Sequence, residues 1–279
     1  MRVEAFSLNR GECRRLGELS PRQLTGWDLA GVVERGAADG SGPAEGSRVV
    51  GLTHAGAWAE LAAVRTDCLA ALGEGVESSC AATLPVAGMT ALIALEEIGC
   101  VIGKRVLVSG ATGGVGSFAV QLAGMAGADV IAVSRSAVHA GRLEELGAGE
   151  VVRELCTDGE DLDAVIEGVG GASLGAAIQR IAPGGTIVSL ASSDTSEVAF
   201  PSRSFFARAP GARLYGLFLF WELERRHSGT ALLGRLARLV SQNELDCSIT
   251  LEDSWHNADA AISALMERRL IGKAVLHVE

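Results

Sequence analysis

The chain has 279 residues, of which 48% are hydrophobic and 21% are charged. Its formal net charge is -10 and it has no lysine- or arginine-rich run, which argues against nucleic acid or an anionic membrane as its main partner. The length allows one large domain or two of ordinary size, with enough apolar residues for a sizeable core. The longest apolar stretch, residues 214–221, is too short to span a bilayer, so no membrane partner is expected.

Six cysteines lie at positions 13, 68, 80, 100, 156 and 247, and no two of them form a C-x-x-C pair. No secretory signal opens the sequence. These features predict reduced thiols in a cytoplasmic protein rather than disulfides.

The first 80 residues contain short apolar runs separated by glycine-rich turns. We predict strands over residues 2–8, 29–34, 47–52 and 57–64, with a polar turn over residues 37–46. Short strands at this spacing are typical of a compact, barrel-like module. Residues 78–97 then change to small and aliphatic residues at helical spacing, around Pro85 and Gly88.

Residues 105–136 have the pattern of a strand, a glycine loop, a helix and a second strand. An apolar run at 106–108 is followed at once by glycines at 110, 113, 114 and 116, then by a predicted helix from Ser117 to about Met125. Glycines allow a tight turn and a close approach of the backbone to a pyrophosphate, and the helix N-terminus offers that anion free N–H groups. The pattern indicates a dinucleotide site, and a glycine-rich turn without a nucleotide is the alternative.

Predicted strands and helices alternate from residue 105 to residue 219. The strands lie near 105–109, 129–133, 163–167, 185–190 and 213–219, and the helices near 117–126, 137–146 and 173–181. This alternation implies a parallel sheet with right-handed crossovers. Two more helices, over 230–241 and 257–268, precede a last strand over 273–278.

Together, nine segments resemble the medium-chain dehydrogenase/reductase superfamily, specifically its zinc-free quinone oxidoreductase and enoyl reductase branch. They cover residues 3–9, 26–33, 46–51, 56–60, 84–85 with 88–91, 111–123, 167–171, 182–185 and 272–275. The resemblance implies an α/β fold in which a doubly wound, parallel Rossmann sheet is inserted into a β-rich, GroES-like catalytic domain. Residues 1–85 and 221–279 would form the catalytic domain and residues 86–220 the dinucleotide-binding domain, with cofactor and substrate in the cleft between them.

The chain departs from the family pattern in three respects, the third of which concerns the cofactor. The family has an opening segment before the residues that match Val3, so either the start codon is assigned too late or the catalytic domain is short and one of its edges is exposed or covered by a partner. The zinc branch has Gly-His-Glu where this chain has Gly26-Trp27-Asp28, and no structural-zinc cysteine cluster lies between residues 64 and 78. Cys13 alone cannot build a metal site, so no metal is expected and Cys13 is predicted to be a pocket wall or a buried thiol.

The resemblance places the choice of cofactor at the end of the second Rossmann strand. Ser134, Arg135 and Ser136 stand where an NAD-binding protein usually has a carboxylate, and a guanidinium suits a 2′-phosphate. His139 replaces a phosphate-binding lysine of the family, and Glu154 replaces a tyrosine and would repel phosphate if it pointed inward. We therefore predict NADPH, with NADH as the less favoured alternative.

The remaining site residues also come from the resemblance. Asn9 would donate a hydrogen bond near the nicotinamide or the substrate carbonyl, Thr90 would lie beside the nicotinamide, and His54 would border the pocket mouth. The plain alternatives are a turn-capping asparagine, a helix-start threonine, a solvated loop histidine and, for Lys273, an ordinary surface lysine. The residues expected to contact the cofactor are Asn9, Thr90, Ala111, Thr112, Gly113, Gly114, Val115, Gly116, Ser134, Arg135, Ser136, His139, Gly168, Val169, Gly170, Leu190, Ala191, Leu217, Phe218 and Lys273.

The activity that this resemblance implies is hydride transfer from NADPH to a quinone or an α,β-unsaturated carbonyl, with a proton taken from water. A small-molecule substrate, a cytoplasmic location and a homodimer formed through the edge strand 213–219 are expected with it. One rival hypothesis is a non-catalytic dinucleotide-binding sensor or scaffold. Another is a zinc alcohol dehydrogenase, which the ligand inventory disfavours.

Overall fold

The computed structural model describes residues 1–20 and 22–279. The chain divides into two compact units. Unit 1 consists of Met1–Met89 and Leu219–Glu279, and unit 2 is Thr90–Phe218. The domain boundaries expected from the sequence lie at 85/86 and 220/221. Each unit is built on its own six-stranded sheet.

Unit 1 begins with strands that alternate with short helices and irregular loops. Its first segment contains β1 (Arg2–Ser7), α1 (Arg10–Arg15), β2 (Asp28–Val32), β3 (Arg48–Leu52), β4 (Leu69–Ala71) and α2 (Ser78–Ala82). A π-helical turn, Leu84–Gly88, follows and leads into α3 (Met89–Ile98). The helical character predicted for residues 78–97 is therefore confirmed.

Unit 2 alternates strands and helices along the chain. Its elements are β5 (Arg105–Val108), α4 (Gly114–Met125), β6 (Asp129–Val133), α5 (Ala140–Glu145), β7 (Glu150–Val152), β8 (Leu162–Glu167), α6 (Gly171–Arg180), β9 (Ile181–Ser189) and β10 (Arg213–Gly216). All its strands are parallel, in the order β7-β6-β5-β8-β9-β10. This is the order of a doubly wound dinucleotide-binding sheet, and the order reverses between β5 and β8.

The core of unit 2 lies where the central strands meet the helices. Leu107, Ile131, Val165, Ile178 and Ile187 belong to one buried cluster, each at most 3% exposed. The strands are buried on both faces and therefore read as continuous apolar runs in the sequence. The predicted parallel α/β fold is confirmed.

The chain then returns to unit 1. This segment contains α7 (Leu219–Arg226), α8 (Gly229–Ser241), β11 (Ile249–Ser254), α9 (Ala258–Met266) and β12 (Lys273–His277). The sheet of unit 1 has the order β11-β12-β1-β2-β3-β4, with β11 and β12 parallel and the other pairs antiparallel. The expected barrel-like module is therefore a six-stranded mixed sheet, and β1 beside β12 joins the two ends of the chain.

The strand predicted over residues 57–64 is wrong. The backbone N–H groups of this segment bond to scattered acceptors, including Gly26 O for Ala57 and Met1 O for Ala62, and a single bridge pairs Leu61 with Arg2. Gly56, just before it, has a φ of +94°, which turns the chain out of an extended conformation. The apolar alternation instead reflects side chains such as Ala57 packing on the sheet.

The prediction that all thiols are reduced is also wrong for one pair. Cys80 on α2 and Cys247 before β11 form a disulfide, with Cα atoms 5.5 Å apart. They are 167 residues apart in sequence, so their spacing gave no sign of the bond. The four other cysteines are free, and Cys13 is the buried thiol that was one of its two predicted states.

Candidate active site

The glycine loop between β5 and α4 has the geometry that an anion site requires. Gly110 has a φ of +61°, and its carbonyl accepts a hydrogen bond of 2.9 Å from Gly113 N. A Cβ on Gly116 would lie 2.3 Å from Gly110 O, so no larger residue fits this turn. The N-cap of α4 is Gly113, and no side chain caps the helix. The first amides of a 12-residue helix are therefore available to a pyrophosphate, which fits a dinucleotide.

A buried carboxylate shapes the neighbouring loop at the point where the strand order reverses. Glu167, at the end of β8, is fully buried and accepts hydrogen bonds from Ser109 Oγ (2.8 Å), Val169 N (3.1 Å) and Gly170 N (2.9 Å). Ser109 Oγ in turn accepts from Gly168 N at 2.9 Å. Glu167 therefore holds the loop over residues 168–170 in place. This role was not predicted from the sequence, where Glu167 was noted only as part of the matching segment 167–171.

The end of β6 presents a free arginine. Ser134 is 4% exposed and its hydroxyl donates to Ser136 O at 2.9 Å, whereas Arg135 and Ser136 are exposed and His139 is half-buried. Ser134 N donates to Val152 O at 2.9 Å, which brings the end of β7 alongside, with Arg153 exposed next to it.

Neither of these two arginines is neutralised by its neighbours. Within the described residues, no hydrogen bond or ion pair forms with the guanidinium of Arg135 or of Arg153. Glu154, which was expected to repel phosphate if it pointed inward, is exposed, and its carboxylate lies 4.0 Å from Cys156 Sγ. The end of β6 can therefore accept an anion.

The other predicted cofactor contacts follow the strand ends of unit 2. Leu190 N donates to Glu167 O at 3.0 Å and Leu217 N to Ser189 O at 2.8 Å, so both loops continue the ladder beyond the strands. Phe218 is 64% exposed, whereas Thr90, on α3, is 6% exposed. The roles of these residues stay predictions.

Unit 1 contains a buried polar network that joins both ends of the chain. Asn9 follows β1, Glu12 lies on α1, Asp28 begins β2 and Lys273 begins β12. Lys273 Nζ donates to Asn9 Oδ1 at 2.7 Å, to Leu8 O at 3.2 Å and to Asp28 Oδ2 at 3.3 Å. Glu12, Asp28 and Lys273 are at most 2% exposed. Lys273 is therefore not a surface lysine, and its three ammonium hydrogens are all donated within unit 1.

The same network changes the role that Asn9 can have. Asn9 Nδ2 donates to Asp28 Oδ2 at 2.8 Å and to Glu12 Oε1 at 3.0 Å, which uses both of its hydrogens. Because Lys273 can only donate, it fixes Oδ1 on its own side of the amide. The predicted donor to a substrate carbonyl is thus unavailable in this arrangement, and Oδ1 accepts from Lys273 Nζ while the Asn9 side chain also forms a capping box with the backbone of Glu12.

Asp28 is the most heavily bonded acceptor in the network. Its Oδ2 also accepts from Ser7 Oγ at 2.7 Å, and its Oδ1 accepts from Val86 N at 2.9 Å. Asp28 therefore pairs with Lys273, whereas Glu12, the second buried carboxyl group of the network, receives no hydrogen bond from that lysine. Burial, and secondarily the charge of Asp28, raises the pKa of Glu12 to about 8. Burial also raises the pKa of the adjacent Cys13 thiol to about 12, so this thiol is not a nucleophile near neutral pH.

His54 lies in a small cavity of unit 1. Its ring stacks on Phe220 with centroids 4.5 Å apart, and Nε2 lies 3.9 Å from Glu224 Oε1. The cavity has a volume of about 60 Å³ and also contains Arg65 and Cys68. A substrate role for His54 stays a prediction.

Within residues 1–20 and 22–279, no group of three or more His, Cys, Asp or Glu side chains could hold a metal ion. Over the same residues, no helix has the length and apolar character needed to cross a bilayer.

Several known proteins are similar to this chain. Residues 114–221 match the family model described as zinc-binding dehydrogenase. The chain is 31% identical over 98% of its length to erythronolide synthase EryA2 of Saccharopolyspora erythraea, of which it covers 8%. It is 33% identical over 77% of its length to 2-methylene-furan-3-one reductase of Solanum lycopersicum, of which it covers 59%. The chain thus spans only 8% to 13% of the length of the polyketide synthases among the first relatives that it matches.

Solved structures share the fold over the whole chain. The quinone oxidoreductase from Coxiella burnetii superimposes with a TM-score of 0.84 at 27% identity, covering 100% of this chain and 89% of that one. The yhdH oxidoreductase from Salmonella enterica in complex with NADP gives a TM-score of 0.83 at 25% identity, covering 100% and 90%.

The doubly wound sheet, its glycine loop and its position as an insert in the sequence of unit 1 are the features of a dinucleotide-binding fold. The comparisons confirm the resemblance drawn from the sequence, to the branch of quinone oxidoreductases and enoyl reductases in the medium-chain dehydrogenase/reductase superfamily.

Proposed function

We propose that this chain is a zinc-independent oxidoreductase that transfers hydride from NADPH to a quinone or an α,β-unsaturated carbonyl. The observation that carries the proposal is the uncapped helix α4 behind a glycine turn that admits no Cβ, with the free Arg135 at the end of the next strand. A quinone oxidoreductase, a 2-methylene-furan-3-one reductase and an oxidoreductase solved with NADP support it by similarity.

In this proposal the first turn of α4, at residues 114–116, binds the pyrophosphate through backbone N–H groups. Arg135 pairs with the 2′-phosphate, and Arg153 adds a second positive charge at the end of the neighbouring strand. Two guanidinium groups that have no acidic partner among the described residues favour a phosphate over a free ribose hydroxyl. This charge balance supports NADPH rather than NADH.

The chemistry requires orientation more than acid–base catalysis. When bound, NADPH supplies the hydride, and a conjugated acceptor is already activated toward it. Asn9 and Lys273 have no hydrogen left to polarise a carbonyl, so the proton comes from water. Zinc independence is supported by Trp27 in the place of a family histidine and by the carboxylate of Asp28 being engaged within its own network.

A homodimer would use the edge of the unit 2 sheet. β10 is the last strand of that sheet, and Leu214 on it is 45% exposed. An apolar edge strand of this kind is stabilised when a second strand pairs with it. Sedimentation equilibrium of the wild type and of Leu214→Lys tests this, with a shift to monomer expected for the variant and an unchanged dimer contradicting the assignment of the edge.

Two assays test the function. Purified protein with NADPH and a panel of quinones and enones should show loss of nicotinamide absorbance, and no turnover on any acceptor would contradict the proposed reaction. Calorimetric titration with 2′,5′-ADP and with 5′-AMP isolates the phosphate contribution. We expect 2′,5′-ADP to bind more tightly, and Arg135→Ala to lose about tenfold in affinity for it, the value of one charge-assisted pair of about 1.5 kcal/mol.

A matched control is Arg142→Ala on α5, because Arg142 is a surface arginine already paired with Glu145. It should leave both affinities unchanged. Equal binding of the two fragments to the wild type would overturn the choice of NADPH.

A second function is favoured by the hydrogen-bond network itself. Since Asn9 and Lys273 are fully engaged as donors, the chain could bind a dinucleotide as a sensor or scaffold without reducing anything. The same assays separate the two hypotheses, because a sensor binds 2′,5′-ADP and NADPH but shows no turnover on any acceptor.

A further inference from the structure

A buried hydrogen-bonded pair joins the two loops of unit 2 that lie where the strand order reverses. β5 and β8 are parallel neighbours, and their register places Ser109, just after β5, beside Glu167, the last residue of β8. Ser109 is 3% exposed and Glu167 is fully buried. Ser109 Oγ donates to Glu167 Oε1 at 2.8 Å, and Ser109 N donates to Ile166 O at 2.9 Å. The start of the glycine loop is therefore attached to the end of β8.

Two hydrogen bonds fix the side chain of Ser109. Its hydroxyl donates its one hydrogen to Glu167 and accepts from Gly168 N at 2.9 Å. The next residue is Gly110, on whose backbone the first turn of α4 packs directly, since a Cβ on Gly116 would lie 2.3 Å from Gly110 O. A shift of Ser109 would therefore be transmitted through Gly110 to the open amides of α4.

Hydrogen bonds alone hold the carboxyl group of Glu167. Its donors are Ser109 Oγ, Val169 N and Gly170 N, at 2.8 to 3.1 Å, and it forms no ion pair among the described residues. Three donors on two oxygens require a group that only accepts, which is the carboxylate form. A negative charge next to a loop that binds a phosphate would by itself weaken the binding. Any favourable contribution of Glu167 to that binding therefore comes from the position that it gives the loop.

We propose that Glu167 is a positioning residue of the dinucleotide site, which acts through Ser109 to fix the glycine loop for the pyrophosphate. This inference rests on the dinucleotide-binding part of the proposed function. Charge and position predict opposite effects of Glu167→Gln. Removal of the charge alone would strengthen the binding of an anion. The amide, however, has one oxygen for donors on two sides, so at least one of the three donors loses its acceptor and the loop loosens.

The test measures the dissociation constant of 2′-phospho-ADP-ribose, which has the pyrophosphate and the 2′-phosphate but no nicotinamide. Glu167→Gln and Ser109→Ala should each weaken its binding about two- to tenfold, the value of about one neutral hydrogen bond. Because both residues act on the same loop, the double variant should stay within about twofold of the weaker single variant. A residue that only stabilises the fold would leave the affinity of the folded protein unchanged.

The matched control is Asp163→Asn, the same change of carboxylate to amide on the same strand. Asp163 lies toward the other end of β8, where its Oδ2 accepts from Arg105 N of β5 at 2.9 Å. It also joins β8 to β5, but far from the glycine loop, so its variant should bind 2′-phospho-ADP-ribose within about twofold of the wild type. Unchanged or tighter binding by Glu167→Gln would overturn the proposal, as would losses that multiply in the double variant or an equal loss in Asp163→Asn.

Hydrogen exchange of the unliganded protein gives a readout that needs no ligand. The backbone amides of Ser109 and Gly113 are hydrogen-bonded in the wild type. Exchange over residues 109–117 should be faster in Glu167→Gln and Ser109→Ala than in the wild type and in Asp163→Asn. If it is not, the inference fails. Faster exchange in the two variants together with no binding of 2′-phospho-ADP-ribose by the wild type would contradict only the proposed function.

Discussion

Replacing Lys273 by methionine tests whether the ion pair of Lys273 with Asp28 stabilises the polar network of unit 1. Lys273 is 2% exposed, and its partner Asp28 is fully buried. Removal of the ammonium leaves the carboxylate of Asp28 with three donors, from Ser7, Asn9 and Val86. Breaking a buried pair on one side costs about 3–5 kcal/mol, and the three surviving hydrogen bonds place the expected loss near the lower end, about 3 kcal/mol.

Urea unfolding of the wild type, Lys273→Met, Asp28→Asn and the double variant measures this loss and the coupling between the two residues. The double variant removes both charges together, so it should recover most of the stability lost in Lys273→Met. Lys104→Met, which changes the other lysine of the chain in a half-exposed loop, is the matched control and should change the free energy of unfolding by less than about 0.5 kcal/mol. If Lys273→Met were as mild as this control, the ion-pair argument would be refuted.

Three further predictions use other parts of the molecule. Gly116→Ala should weaken 2′,5′-ADP binding and cost about 1–3 kcal/mol of stability, because the new Cβ would lie 2.3 Å from Gly110 O. The control is Gly141→Ala, which has open space around it and should change neither the binding nor the stability. The free energy of unfolding of the wild type, relative to Glu12→Gln, should fall by about 1.4 kcal/mol per pH unit between about pH 5 and pH 8. The reason is that the pKa of Glu12 is higher in the folded chain than in the unfolded chain, so the unfolded chain releases the proton first. A difference that does not change with pH would show that Glu12 is charged in the folded protein. Reduction of Cys80–Cys247, or Cys247→Ser, should cost about 2–5 kcal/mol of stability, and dithiothreitol should then have no further effect on the variant.

The features predicted well from sequence are those encoded within a short stretch of chain. The run 106–108, the four glycines that follow it and the apolar face of α4 all lie within about 20 residues, so their pattern specifies a strand, a turn and a helix together. The short strand β7, with three residues, and the edge strand β11 show weak or no apolar alternation and were missed. α7 was missed because it begins at Leu219, inside the apolar run 214–221, and the last Rossmann strand was predicted to extend to residue 219.

The features that could not be predicted depend on residues far apart in sequence. Lys273 and Asn9 are 264 residues apart, and only the pairing of β1 with β12 brings them together. The resemblance placed both of them near the cofactor but gave no indication that Lys273 Nζ would donate a hydrogen bond to Asn9 Oδ1. The disulfide between Cys80 and Cys247 has the same origin, since the two cysteines meet only when both segments of unit 1 fold.

We propose that the chain uses a nicotinamide dinucleotide with a 2′-phosphate for reduction. The most direct measurement is the rate of nicotinamide oxidation by the wild type with NADPH and with NADH, at matched concentrations, against one quinone and one α,β-unsaturated ketone. We expect turnover with NADPH and a lower kcat/KM with NADH, and we expect Arg135→Ala to reduce this preference. Equal rates with the two cofactors would contradict the role of Arg135, and no turnover with either cofactor would contradict the proposed activity.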